Sequence, residues 1–349
     1  RRPVGVVGVI TPFNFPIAIP AWKIAPALAY GNTVVWKPAD PVPLLAQRLA
    51  HALTLAQLPA GVLNLVMGDG QVGSAIVDHP DVDAITFPGS TDVGRRVASR
   101  VVARGAAVQA EMGGKNAAVV LDDADIELAV DQIMLGAFRS TGQKCTATSR
   151  LIVTEGVADR LLAALAARAD ALAVGDPTDD AVQMGPVVGA LALASIKHGI
   201  ATAVEQGAQL IAGSRVPVGA DLSDGYFVAP TIVELGHGPC DLWHDELFGP
   251  VLAVRRASDV EHAFALANDG AFGLSAAVFT QDVGLVLGAI EELEVGVLHV
   301  NSESAGADPH VPFGGVKKSG LGPKEQGAAA REFYSTTQTV YLKSGRRTG

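Results

Sequence analysis

Residues 4–10 (V-G-V-V-G-V-I), 18–29 (A-I-P-A-W-K-I-A-P-A-L-A) and 33–37 (T-V-V-W-K) open the chain. The first and third are short, apolar and β-branched, which suits a pleated strand, whereas the second spaces its apolar residues as a helix does. Strands that are apolar throughout, joined through a helix, predict a βαβ unit in a parallel sheet buried on both faces. Outward from this unit the pattern repeats. Leu63–Val66, Ala84–Phe87, Val108–Ala110 and Ala117–Leu121 read as further strands, with Leu44–Ala56, Val72–Val77, Val93–Ala103 and Ile126–Phe138 as the accompanying helices. Asp40-Pro41, Ser90-Thr91-Asp92 and Asp122-Asp123-Ala124-Asp125 offer capping side chains where helices start.

A second alternation begins after Arg150. Leu151–Val153, Val251–Arg255, Ser275–Phe279 and Val297–Val300 read as strands, and Ala158–Ala173, Ile196–Glu205, Val260–Asn268 and Val283–Leu293 as helices. The chain closes with a helix over Glu325–Phe333 and a β-prone stretch, Ser335–Leu342, which has no evident local partner and is open to pairing with another domain or subunit. At 349 residues the chain has room for two domains of ordinary size. Its 26 Lys and Arg against 36 Asp and Glu give a net charge of -10, which repels phosphate backbones and argues against nucleic acid as a partner. A local phosphate site built from backbone N–H groups remains compatible with that charge. Two cysteines without Cys/His metal spacing predict neither a disulfide scaffold nor a metal site, and no apolar run reaches the ~18–20 residues of a membrane span. A reducing, cytoplasmic setting is expected, and the start at Arg1 without Met is expected to lie inside a longer protein.

Five places carry candidate chemistry. Cys145, in Gly142-Gln143-Lys144-Cys145-Thr146, lies in a polar, partly cationic loop of the kind that lowers a thiol pKa and makes a nucleophile; an inert core thiol is the plain alternative. Glu111, at a strand end before Gly113-Gly114, is placed to face a cleft as a general base, or is a surface Glu at a turn. Asn14, between Pro12 and Pro16, has an amide suited to an oxyanion, or to its own turn. Gly89 and Ser90 mark a strand-to-helix junction where backbone N–H groups can meet a pyrophosphate, although no G-x-G-x-x-G is present. Lys37 ends a strand within reach of a ribose or phosphate, or of solvent.

Together these segments resemble the NAD(P)-dependent aldehyde dehydrogenase superfamily. The resemblance rests on Thr11–Pro16 (T-P-F-N-F-P), Val35–Pro38 (V-W-K-P), Phe87–Gly94 (F-P-G-S-T-D-V-G), Glu111–Lys115 (E-M-G-G-K), Gly142–Cys145 (G-Q-K-C), Glu246–Pro250 (E-L-F-G-P) and Pro312–Gly315 (P-F-G-G), which occur in the family's order, with Glu111 34 positions before Cys145. It implies an α/β fold with a Rossmann-type parallel-sheet cofactor domain over 1–112, incomplete at its N-terminus, an α/β catalytic domain over 113–318, and a return segment and bridging strand over 319–349. By the same resemblance Cys145 is the nucleophile, Asn14 and the Cys145 N–H hold the oxyanion, and Glu111 activates the hydrolytic water. Lys37 binds the adenosine ribose, Glu246 the nicotinamide ribose, Phe248 packs near the nicotinamide, and Gly89 and Ser90 approach the pyrophosphate. Asp40 stands where many NAD-preferring members have Glu, which favours NAD over NADP, and Pro88 stands where Thr is common.

Within the superfamily, Pro20–Asp40, Gly136–Arg150 and Ser304–Gly315 look most like α-ketoglutaric semialdehyde (2,5-dioxopentanoate) dehydrogenases, which implies 2-oxoglutarate as product. Arg139, or a residue of the 302–310 loop, is the candidate for the substrate carboxylate; a salt-bridged helix end is the alternative for Arg139. Rival expectations are another aldehyde substrate, such as succinate semialdehyde or aliphatic aldehydes, and an inactive truncated remnant. The resemblance further implies a homo-oligomer, dimer or tetramer, with no metal and no membrane association.

Overall fold

The computed structural model describes residues 1–213 and 225–345. Two sheets organise it. The first runs Gly320–Leu321, Ala107–Glu111, Ala84–Pro88, Val6–Ile10, Thr33–Lys37, Leu63–Leu65, all parallel apart from the short antiparallel edge at Gly320–Leu321. From Val6–Ile10 the chain builds outward through Thr33–Lys37 and Leu63–Leu65, then returns to build the other way through Ala84–Pro88. The order therefore reverses between Val6–Ile10 and Ala84–Pro88, and in such sheets the crevice beyond the carboxyl ends at the reversal is where ligands sit. Asn14 follows one of these strands, and Gly89 and Ser90 follow the other.

The second sheet runs Val297–Val300, Ser275–Phe279, Asn116–Val120, Thr148–Thr154, Val251–Ala257, Thr231–Glu234, Gln209–Ala212, parallel except at Gln209–Ala212. The strand that the sequence pattern grouped with the first alternation, Ala117–Leu121, is in the second sheet as Asn116–Val120. The change of sheet thus falls between Glu111 and Asn116, before Arg150, because apolar content marks a buried strand but does not say in which sheet it pairs. Alternate residues of the second sheet feed two separate cores. Ala117, Val119 and Ile152 pack with Trp243 and Phe264, and Ala118, Val120 and Leu151 with Phe138 and Leu161. Both faces are covered, as strands apolar throughout require.

Three expectations need correction. Glu325–Phe333 is not one helix: Gln326 and Gly327 have φ of 66° and 48°, which blocks a helical start, and only a 3₁₀ turn at Gly327–Ala329 and a helix at Ala330–Tyr334 form. Ser335–Leu342 is not one unpartnered strand. Ser335–Thr336 pairs antiparallel with Arg2–Pro3, from the opposite end of the chain, and the tail beyond it leaves Tyr341 and Leu342 about 90% exposed. Asp40 caps no helix: the position belongs to Val42, and Asp40 binds Lys37 instead. Asp125 does cap, accepting from Leu128 N–H at 3.1 Å. The four-residue strands Gln209–Ala212 and Thr231–Glu234 were not foreseen, being too short to show a period.

Candidate active site

Glu111 ends the strand Ala107–Glu111, and five residues later Asn116 begins a strand of the other sheet. This connection carries the carboxyl edge of the first sheet to the amino edge of the second, where Cys145 precedes Thr148–Thr154. Between the edges lies a cavity of about 330 Å³ lined by Phe13, Asn14, Gly89, Ser90, Glu111, Cys145, Glu246 and Phe248, among others. Residues as far apart in sequence as Pro12 and Phe313 thus share one space.

Each is held by local structure. The Asn14 loop is pinned where Trp36 Nε1 donates to Thr11 Oγ1 at 2.9 Å, and Phe13 meets Phe248 edge-on with ring centroids 6.0 Å apart. The loop before Cys145 carries three successive left-handed residues, Ser140, Thr141 and Gly142, an arrangement that stores strain at the first two and persists only where its surroundings enforce it. Glu111 Oε2 accepts from Gly315 N–H at 3.3 Å, while Gly314, at φ 145°, passes so close that a Cβ there would stand 2.5 Å from Oε1. Glu246 Oε1 accepts from Gly114 N–H at 3.1 Å.

Electrostatics reverse one expectation. The cationic neighbour Lys144 predicted a lowered thiol pKa, but burial, then Glu246, Glu111 and Glu325, push Cys145 up to about 12. Burial and the Glu325 carboxylate hold Glu111 well above the usual carboxylate range, against Lys23 and Lys324. Burial raises Glu246 to about 7 despite the Gly114 N–H and Lys115, and Lys115 falls to about 7 through burial and Arg150. Burial therefore favours the neutral thiol and the neutral form of both carboxyls in this site. A carboxylate with a raised pKa is the stronger base once ionised.

Lys37 and Asp40 lie outside the cavity lining. Lys37 ends the strand beside Val6–Ile10, at the same carboxyl edge, and its Nζ bonds Asp40 Oδ1 at 2.6 Å. Arg139 is not brought to the cavity: it pairs with Glu303 at 3.6 Å, is 62% exposed, and faces a separate cleft with Asp131, Leu135 and Arg168. Of the two expectations for Arg139, this geometry shows the salt-bridged helix end.

Several residues of the site were missed. Behind Glu111, Lys23 is fully buried, paired with Glu325 and donating to Thr86 Oγ1 at 2.7 Å. A lysine amid the apolar residues of Ala18–Ala29 was the available signal. The helix Thr91–Ala103 begins beside the cavity with no side-chain cap from Ser90, and Thr91 Oγ1 is buried without a partner. Uncapped N–H groups and an orphan hydroxyl fit a phosphate group, with the exposed Asp92 in the same turn opposing it. Among the described residues no group of side chains forms a metal site, and no helix is long and apolar enough to cross a membrane.

The model of the aldehyde dehydrogenase family matches residues 1–340. The chain is 44% identical over 344 residues to an α-ketoglutaric semialdehyde dehydrogenase of Bacillus subtilis, covering 98% of this chain and 70% of that one. It is 42% identical over 345 residues to a 2,5-dioxopentanoate dehydrogenase of Saccharolobus solfataricus, covering 98% and 71%. The solved betaine aldehyde dehydrogenase of Staphylococcus aureus in complex with NAD+ superposes with a TM-score of 0.92 at 35% identity, over 95% of this chain and 66% of that one. The chain thus spans roughly two thirds of the length of the proteins it matches. Two sheets meeting at a cysteine, an asparagine and a glutamate agree with the sequence match along nearly the whole length, and the chain belongs to the aldehyde dehydrogenase family.

Proposed function

We propose that the chain oxidises an aldehyde to a carboxylate with a nicotinamide dinucleotide, through a covalent bond to Cys145. The convergence of Cys145, Asn14 and Glu111 on one cavity carries this reading. The Cys145 sulfur attacks the aldehyde carbon and its proton passes to ionised Glu111. The Asn14 amide and the Cys145 N–H stabilise the oxyanion of the resulting thiohemiacetal. The bound dinucleotide supplies the acceptor for the hydride lost from that carbon. Glu111 gives up the first proton to solvent and, ionised again, takes one from the water attacking the thioester, and Cys145 leaves as a thiolate, a better leaving group than an alkoxide.

Gly89 and Ser90, with Thr91 Oγ1, suit the pyrophosphate, Glu246 the nicotinamide ribose and Phe248 the nicotinamide. Lys37 takes the adenosine ribose. Asp40 beside it repels a 2′-phosphate, which favours NAD over NADP. The proposed substrate is 2,5-dioxopentanoate, and the two semialdehyde-type relatives support it. Its carboxylate falls to the 302–310 loop, since Ser304 Oγ donates to Thr146 O at 3.0 Å and so ties that loop to the cysteine's own. The side chains of Phe13, Ile19, Met112, Leu274 and Phe313 around the cavity favour a second reading, an aliphatic aldehyde. The exposed tail at Tyr341 and Leu342 is the proposed contact with a second copy in a homo-oligomer.

The test offers 2,5-dioxopentanoate, succinate semialdehyde and hexanal with NAD and with NADP to the chain and to Cys145→Ala. Loss of turnover by roughly 10³-fold or more in the variant is expected. Unchanged oxidation removes Cys145 from the chemistry, and equal kcat/KM for 2,5-dioxopentanoate and hexanal removes the substrate assignment. No oxidation by the unaltered chain favours the inert remnant.

A further inference from the structure

We infer that Asn116 is the positioning residue for Cys145, clamping the backbone of the nucleophile's loop; this rests on the reading of Cys145 as nucleophile. Asn116 is 2% exposed and begins the strand between Thr148–Thr154 and Ser275–Phe279. Its Nδ2 donates to the carbonyl of Cys145 at 2.8 Å and to that of Ala147 at 2.9 Å, and its Oδ1 accepts from Ser275 N–H at 3.0 Å. Both amide protons are used, and because two partners are carbonyls and the third is an N–H, only one orientation of the amide satisfies them.

The need for this side chain lies in the sheet. Asn116 is opposite Thr148 but Ala117 is opposite Arg150, so the ladder is irregular at this point and backbone pairing slips by one residue. The carbonyls of Cys145 and Ala147 lie just ahead of the irregular rung, and the Asn116 side chain meets them there. Gly114 closes the other side: a Cβ on it would stand 2.5 Å from the Cys145 carbonyl oxygen and 2.7 Å from Asn116 Oδ1. The strained residues Ser140 and Thr141 precede the cysteine, so the loop has an incentive to relax that the clamp opposes. Holding the Cys145 carbonyl holds the direction of its side chain. A geometry that is required at the reacting atoms and not for binding appears in kcat rather than in KM.

Asn116→Asp keeps the shape and the acceptor for Ser275 N–H but removes both donors; Asn116→Ser, uncharged and shorter, serves if a buried carboxylate prevents folding. Cys145 alkylation by iodoacetamide is followed by mass spectrometry, beside kcat, the aldehyde KM and dinucleotide affinity. Expected is a fall of roughly tenfold or more in both alkylation rate and kcat, with KM and dinucleotide affinity within about twofold. A folded variant that alkylates and turns over at the unaltered rate, or one changed only in KM, overturns the clamp. Alkylation reports on the thiol whether or not an aldehyde is oxidised, so failure of the proposed function would show as an unaltered chain without turnover, separately from this result.

Discussion

Glu246 occupies the space that a side chain on Gly113 would need: a Cβ there would lie 2.0 Å from Glu246 Oε2, while Oε1 is held by the next residue's N–H. One short connection thus carries both Glu111 and the seat of Glu246, which links the two carboxylates of the site through consecutive backbone atoms.

Gly113→Ala follows from this directly. The clashing atom is the end of a flexible side chain, so the fold absorbs the methyl group by moving Glu246 and not the strand. The expected result is a rise of about tenfold in the dinucleotide KM, equivalent to about 1.4 kcal/mol, with thermal unfolding nearly unchanged. A variant with unaltered KM would place Glu246 outside cofactor binding.

The thiol provides a pH test. With Cys145 raised to about 12, its alkylation in the unliganded chain rises about tenfold per pH unit from pH 7 to 10 without levelling. Glu246 is the largest charge among the causes and itself titrates near 7, so it opposes thiolate formation mainly above that pH. Glu246→Gln therefore accelerates alkylation more at pH 9 than at pH 6. Equal acceleration at both would mean that its charge is not the cause.

Glu246 also sets a trend in stability. Its folded pKa, about 7, lies above the ordinary carboxylate value, so its neutral form favours folding at low pH and that contribution is lost as pH rises through about 7. Relative to Glu246→Gln, the unaltered chain is expected to lose on the order of 1–3 kcal/mol between pH 4 and 8. Denaturant unfolding at several pH values checks this, and a constant difference between the two proteins would contradict it.

Lys23→Met leaves Glu325 buried without its partner, for which a loss of about 3–5 kcal/mol is expected. The same change removes a charge that lowers the Glu111 pKa, so the acid limb of the rate profile moves to higher pH. Lys23→Met combined with Glu325→Leu recovers most of the stability, because no uncompensated charge is left. Recovery that fails to appear would assign the loss to packing.

Asp40→Ser frees Lys37 Nζ and removes a carboxylate from the expected ribose end of the cofactor site. The ratio of kcat/KM for NADP to that for NAD is expected to rise about tenfold, or about 1.4 kcal/mol. Coenzyme titrations of both proteins decide it, and an unmoved ratio would place Asp40 away from the 2′ position.

The alternation of apolar strands and helices was legible because burial on both faces leaves its mark residue by residue: Thr33–Lys37, Ala18–Ala29 and Val297–Val300 fall where the pattern puts them. Cys145 and Asn14 stood out because each lies in a loop of Gly, Pro or polar residues beside an apolar run, and Glu111 because it ends such a run just before two glycines. Local sequence determined those elements and candidates. It did not determine which sheet Asn116–Val120 joins, the pairing of Ser335–Thr336 with Arg2–Pro3, or the partner of Lys23, which lies 302 positions away. Nor did it determine the charge state of the thiol: Lys144 is its neighbour along the chain, but burial and carboxylates brought from three other segments control it. Propensity and apolar periodicity act over a few residues and are written locally, whereas desolvation and Coulomb interactions depend on distance in space, which only the assembled sheets establish.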